Sequence, residues 1–219
     1  MTRIKICGLR TAQDIQVVAT LPCSYVGFVF ARASRRAITF EHAKTLHKQL
    51  LCVCANKHKI APATVGVFVN EAVDVVAHCL NSGVCDICQL HGVEDENYIA
   101  RLRKLSDKPC IQAFRITSAD DVAKAQQSEA DYVLLDAGAG DGKCFNWTFA
   151  QAMTTRPYFL AGGLNSQNVT EAITLLHPYA VDVSSGVEEQ GHKSESKMNA
   201  FCTAVANANK ASKKEVQHG

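Results

Sequence analysis

The chain has 219 residues, 47% of them hydrophobic and 20% charged, a composition that fits an ordinary globular core and excludes disorder, collagen and coiled coil. Twenty-three Lys and Arg against 21 Asp and Glu leave a formal charge of +2, too balanced for a phosphate-backbone footprint, so no nucleic-acid partner is expected. No stretch approaches the roughly 18 consecutive apolar residues needed to span a bilayer, and MTRIKICGLR lacks the apolar region of a signal peptide, so no membrane partner and a cytoplasmic location are expected.

In chain order, short β-branched runs alternate with amphipathic stretches. Strands are predicted at 3–7, 25–30, 64–69, 84–90, 109–114, 132–136, 158–161 and 180–183. Helices are predicted at 12–20, 41–51, 72–81, 94–105, 119–127, 149–155, 167–176 and 194–207, with start signals at Thr11, at Ser118 with Asp121, and at Asn165. The segment 52–63, with Lys57, His58 and Lys59, reads as a solvated loop. Eight strands alternating with eight helices predict an α/β fold, a (β/α)₈ TIM barrel in a single domain over 1–209; an open doubly wound sheet is the alternative. Residues 210–219 read as a frayed basic tail.

Ten cysteines in a chain without an export signal read as reduced, mostly packed thiols. Cys52 with Cys54, or Cys85 with Cys88, bring sulfurs close in sequence. Cys85 and Cys88 fall in a predicted strand, however, where residues three apart face opposite ways, so no metal is expected.

Active sites of a (β/α)₈ barrel gather at the C-terminal ends of its strands. In KICGL, strand parity sends Lys5 and Cys7 inward; an ammonium two residues below a thiol at the mouth lowers the thiol's pKa and makes it a candidate base, packing being the alternative. VLLDAGAGDGKCFNW ends an apolar strand in Asp136, a candidate acid or a loop cap, followed by Gly138, Gly140 and Gly142 in a candidate lid. LAGGLN and VDVSSGVE end the last two strands. Gly162, Gly163, Ser185 and Gly186 there suit a phosphate held by backbone N–H groups and a following helix N-terminus, tight turns being the alternative. Arg36 offers a fork for a carboxylate, or with Arg32 and Arg35 a solvated face. His91, in CQLHG, shares parity with Gln89 and points into the mouth as a hydrogen-bonding wall.

Together KICGLRTAQD, GFVF with SRRAI, VGVFVN, CQLHG, LLDAGAGDGKCFNW, FLAGGLNSQNV and VDVSSGVE resemble phosphoribosylanthranilate isomerases, in order from Lys5 to about Phe201. The resemblance implies an Amadori rearrangement of N-(5′-phosphoribosyl)anthranilate in tryptophan biosynthesis, on a (β/α)₈ barrel, without metal or organic cofactor. It implies Cys7 as general base, Asp136 as general acid and Arg36 as binder of the anthranilate carboxylate. It implies phosphate contacts at Gly162-Gly163 and at Ser184-Ser185-Gly186, with Asp182 facing the mouth beside the ribose hydroxyls. A phosphorylated small molecule is thus the expected partner, and a monomer the expected state. Ala139 and Asp141 replace the Gly and small hydroxyl residue usual in that family's lid, Asn146 stands where Asp is common, and Gln190 stands where Pro often precedes Gly191, a change expected to matter little. A metal-dependent epimerase on the same barrel, a non-catalytic phosphate sensor and a cysteine-based redox or metal module are the competing readings.

Overall fold

The computed structural model describes residues 1–136, 147, 149–153 and 156–216, with side chains to 211. The candidate lid with Gly138, Ala139, Gly140, Asp141, Gly142 and Asn146 lies outside the described residues. Eight parallel strands, β1 (Arg3–Cys7), β2 (Tyr25–Val29), β3 (Ala63–Phe68), β4 (Ile87–Leu90), β5 (Cys110–Arg115), β6 (Tyr132–Asp136), β7 (Tyr158–Ala161) and β8 (Ala180–Val183), close into a barrel in sequence order. Closure is made by β8 pairing with β1, Lys5 standing in register with Asp182. The open-sheet alternative is thereby excluded.

Seven helices among the described residues cover the barrel: α1 (Ala12–Val18), α2 (Phe40–Asn56), α3 (Val73–Asn81), α4 (Glu96–Leu105), α5 (Ala119–Gln127), α6 (Val169–Leu176) and α7 (Glu195–Val216). Capping chemistry starts two of them where expected. Thr11 and Asp14 satisfy each other's backbone N–H groups before α1, and Ser118 and Asp121 do so before α5. Asn165 instead accepts from Gln167 N and Asn168 N in a turn, so α6 begins two residues later than predicted. The helix expected at 149–155 is a 3-10 turn, Ala150–Ala152, with Thr154 and Thr155 outside the described residues. Pro157 disfavours helical backbone at Arg156 and limits what can form there.

Two further expectations are corrected. The segment 52–63 is not all loop, because α2 continues to Asn56, with Leu46, Leu50 and Cys54 buried one turn apart. The segment 210–219 is helical through Val216, so the last helix runs seven residues into the expected tail.

Strand parity divides the interior into two cores. Ile4 and Ile6 of β1 pack outward against the helices, while Tyr25, Val65, Ile87, Ile111, Leu134, Phe159 and Ala180 fill the barrel. The floor is aromatic: Tyr25 and Tyr179 hydroxyls lie 3.0 Å apart, and the Arg3 guanidinium sits 4.3 Å above the Tyr179 ring. Above this layer the fully buried Lys5 ammonium meets Asp182 at 2.8 Å. A filled, dry lower half leaves the C-terminal mouth as the place where side chains meet solvent.

Candidate active site

A cleft of about 460 Å³ opens at that mouth. Cys7, Arg36, His91, Asp136, Gly162, Gly163, Asp182, Ser184 and Ser185 all line it, together with Gln89. Gly186 does not; a side chain there would collide with the Leu164 carbonyl, so its glycine lets the loops after β7 and β8 approach. Gly162 and Gly163 both hold positive φ, 91° and 65°, which turns the chain sharply as it leaves β7. A 3-10 turn, Ser185–Val187, follows β8 directly, and the helix expected at 194–207 comes after it as α7.

The Cys7 thiol occupies space left by the missing side chain of Gly27 on β2, where a Cβ would come within 2.6 Å of its Sγ. Burial pushes this thiol above its ordinary pKa; Lys5 and Lys193 pull it down, and Asp182 pushes it up. The sequence expectation of a lowered value is corrected, because desolvation of the buried thiolate outweighs the pull of Lys5. At neutral pH the resting group is a thiol.

Arg36 is not free. Its Nε and Nη2 donate to the two oxygens of Glu188 at 2.6 and 2.8 Å. Lys193 Nζ donates to the same carboxylate at 2.9 Å and to the Ser184 carbonyl at 2.9 Å, and Arg35 adds an outer contact at 3.0 Å. Burial alone would raise the Glu188 pKa, but the hydrogen bonds from Arg36 and Lys193 hold it down to about 2. A hairpin presents this pair. In register, Glu188 of β9 (Glu188–Glu189) faces Lys193 of β10 (His192–Lys193), joined by Gln190 and Gly191 at φ 48° and 80°. Two left-handed residues make a type I′ turn. Proline cannot adopt the first of these conformations, so a relative with Pro at this place needs a different turn.

Across the mouth, Gln89 Nε2 contacts His91 Nδ1 at 2.7 Å, and His91 Nε2 contacts Asp136 Oδ2 at 3.1 Å. Asp182 gives Oδ2 to Lys5, while its Oδ1 is buried without a hydrogen-bond partner among the described residues. Sequence reading missed Glu188, Lys193 and the role of Gln89 as a neighbour of His91. Among the described residues, no group of three or more His, Cys, Asp or Glu is arranged to hold a metal. Cys85 lies just before β4, beside Cys79, and Cys88 lies beside Cys110 on β5. No described helix is long and apolar enough to cross a membrane.

The family model for N-(5′-phosphoribosyl)anthranilate isomerase matches residues 4–204. The chain belongs to this family. Curated isomerases of that name from Streptococcus gordonii and Thermoanaerobacter pseudethanolicus are 38% and 39% identical to it, each match covering 94% of this chain and 98% of the relative. The crystal structure of the Thermotoga maritima isomerase superposes with a TM-score of 0.82 at 30% identity, covering 94% of this chain and all of that one. A phosphoribosylanthranilate isomerase solved with reduced 1-(o-carboxyphenylamino)-1-deoxyribulose 5-phosphate superposes with a TM-score of 0.78 at 30% identity, over the same share of each chain. A 3-hexulose-6-phosphate synthase from Salmonella typhimurium, at 13% identity, shares the fold alone. The protein is an isomerase of tryptophan biosynthesis. It carries out the Amadori rearrangement of N-(5′-phosphoribosyl)anthranilate to 1-(2-carboxyphenylamino)-1-deoxyribulose 5-phosphate.

Proposed function

We propose that this rearrangement runs between Cys7 as general base and Asp136 as general acid. The observation that carries the reading is their placement: both open onto one cleft, from strands three places apart round the closed ring. A ribose between them meets a proton donor and a proton acceptor on different sides. Asp136 protonates the ring oxygen as the C1′–O bond breaks and its electron pair goes to oxygen, giving an iminium. The iminium acidifies C2′–H, and Cys7 as thiolate removes that proton to give the enolamine. Transfer of a proton from the C2′ hydroxyl to C1′ completes the ketone. Solvent exchange then returns Cys7 and Asp136 to their starting states. A thiol held high by burial suits the second step, since the cationic iminium beside it favours the thiolate when it is needed.

Arg36 supports the anthranilate carboxylate. Glu188 takes its Nε and Nη2, which fixes the guanidinium plane at the edge of the cleft. The Oδ1 of Asp182, without a partner among the described residues, suits a ribose hydroxyl, and His91 forms part of the wall of the same cleft. The positive-φ turn at Gly162-Gly163 and the Ser184-Ser185-Gly186 run suit the phosphate, with the Lys193 ammonium behind Ser184.

An acid and a base complete this chemistry without a Lewis acid, so we propose a metal-independent enzyme. The test is loss of phosphoribosylanthranilate fluorescence on adding the chain after dialysis against a strong chelator. Full activity supports the reading; activity lost on dialysis and restored by a divalent ion contradicts it. A monomer is the working unit we propose, and the nine described free thiols support work in the cytoplasm.

A further inference from the structure

The chain of contacts from Gln89 through His91 to Asp136 contains one unexplained atom. Gln89 is 1% exposed, and its Oε1 is buried with no hydrogen-bond partner among the described residues. Its Nε2 makes the 2.7 Å contact to His91 Nδ1. A buried amide oxygen left unpaired is costly, and a second protonation state of its neighbour would offer it a partner.

We propose that Gln89 is a positioning residue that sets which nitrogen of His91 carries hydrogen, and that His91 and Asp136 thereby hold the ring-opening proton between them. This rests on the reading of Asp136 as the acid. As oriented, the amide donates to Nδ1, which makes Nδ1 an acceptor and leaves hydrogen on Nε2, donated to the Asp136 carboxylate. The imidazole is then neutral and Asp136 charged. One further proton on this pair puts hydrogen on Nδ1 as well, and a half-turn of the Gln89 amide brings Oε1 round to accept it. The oxygen is paired in that state, and the amide Nε2 takes the place it leaves. The Nε2–H bond then breaks as an Asp136 O–H bond forms, and that bond breaks in turn as the ring oxygen takes the proton. Imidazole is left neutral, and solvent resupplies the pair after product leaves.

The charged groups facing His91 bear on both states. Asp136 on β6 favours the imidazolium and Arg115 on β5 opposes it, both lining one small cavity with the ring. Arg36, Cys7 and Asp182 line the wider cleft, and Glu94 binds the N–H of the adjacent Gly92.

The experiment is to record long-range ¹⁵N–¹H spectra of the histidine rings against pH in the whole protein, His91 being assigned by His91→Asn. The same is done for Gln89→Met and Gln89→Glu, with kcat and KM measured in parallel. The neutral parent ring is expected to carry hydrogen on Nε2. Gln89→Glu is expected to hold hydrogen on Nδ1, to raise the His91 titration by about one unit, and to move the falling limb of kcat up the pH scale by the same amount with KM within about twofold. Gln89→Met is expected to lose the tautomer preference and about tenfold in kcat, the equivalent of one unit. A parent ring with hydrogen on Nδ1, or a kcat limb that stays put while the His91 titration moves, overturns the proposal. Near-parental kcat in Asp136→Asn instead removes the reading of Asp136, and the tautomer measurement stands apart from it.

Discussion

Arg36 carries the sharpest expectation at the scale of single residues. Arg36→Met is expected to raise KM with little change in kcat, since a carboxylate remote from the reacting carbons is held alike in ground and transition states, at a cost of about 2–4 kcal/mol in kcat/KM. An unchanged KM in steady-state assays would move the carboxylate site elsewhere. Glu188→Gln removes the anion that orients Arg36 and Lys193 and leaves the buried Lys193 ammonium and the partly buried Arg36 guanidinium underpaired, a loss of about 3 kcal/mol in chemical denaturation. The Glu188 pKa is held near 2, below the ordinary 4.5, so its stabilisation is present above about pH 4.5 and fades as pH falls through about 2. The parent should therefore lose stability over that window more steeply than Glu188→Gln. The place of Arg36 just beyond a strand end left a carboxylate fork and a solvated face both open, and only the resemblance singled it out. Glu188 was not legible, because its partner stands 152 residues away and no local window shows that a charged side chain is buried. The same holds for Cys7. Parity gave its direction, but its pKa is raised first by burial, which only the closed barrel provides.

Elements were readable where a period is short and self-contained. The four strands at 3–7, 132–136, 158–161 and 180–183 have the predicted bounds, since an apolar run between turn residues needs no tertiary partner to be seen. The last turn of α2 was missed because Lys57, His58 and Lys59 suggested a loop, although the buried period reaches Cys54. The hairpin of β9 and β10 was invisible, because two-residue strands carry no pattern. Its turn yields a test: Gln190→Pro must abandon φ 48°, break the I′ geometry and loosen Lys193 from Glu188. The expected result is a destabilisation of about 1–3 kcal/mol in thermal unfolding, with a raised KM. An unchanged Tm would show that the turn type is not what holds the pair.

At the scale of the whole molecule, closure of the barrel turns eight separate strand ends into one cleft, onto which the proposed phosphate side, acid and base all open. Inorganic phosphate is expected to inhibit competitively, and Gly163→Val to abolish the inhibition, because valine does not hold φ 65° and the turn must reshape. Circular dichroism shows first whether the variant is folded; a folded variant that binds phosphate as the parent does would contradict the assignment. Sedimentation velocity of active enzyme is expected to give a single species at the 23.7 kDa of one chain, although a Thermotoga maritima relative is described as dimeric. The central claim, a proton removed by Cys7 and supplied by Asp136, is tested most directly by single-turnover rate against pH in the parent, Cys7→Ala and Asp136→Asn. The account predicts a parental rate that rises as the buried thiol ionises above neutrality, and losses of at least about 100-fold, roughly 3 kcal/mol, in each variant. A Cys7→Ala enzyme that keeps near-parental single-turnover rates would contradict it and leave the thiol as a packing residue beside Gly27.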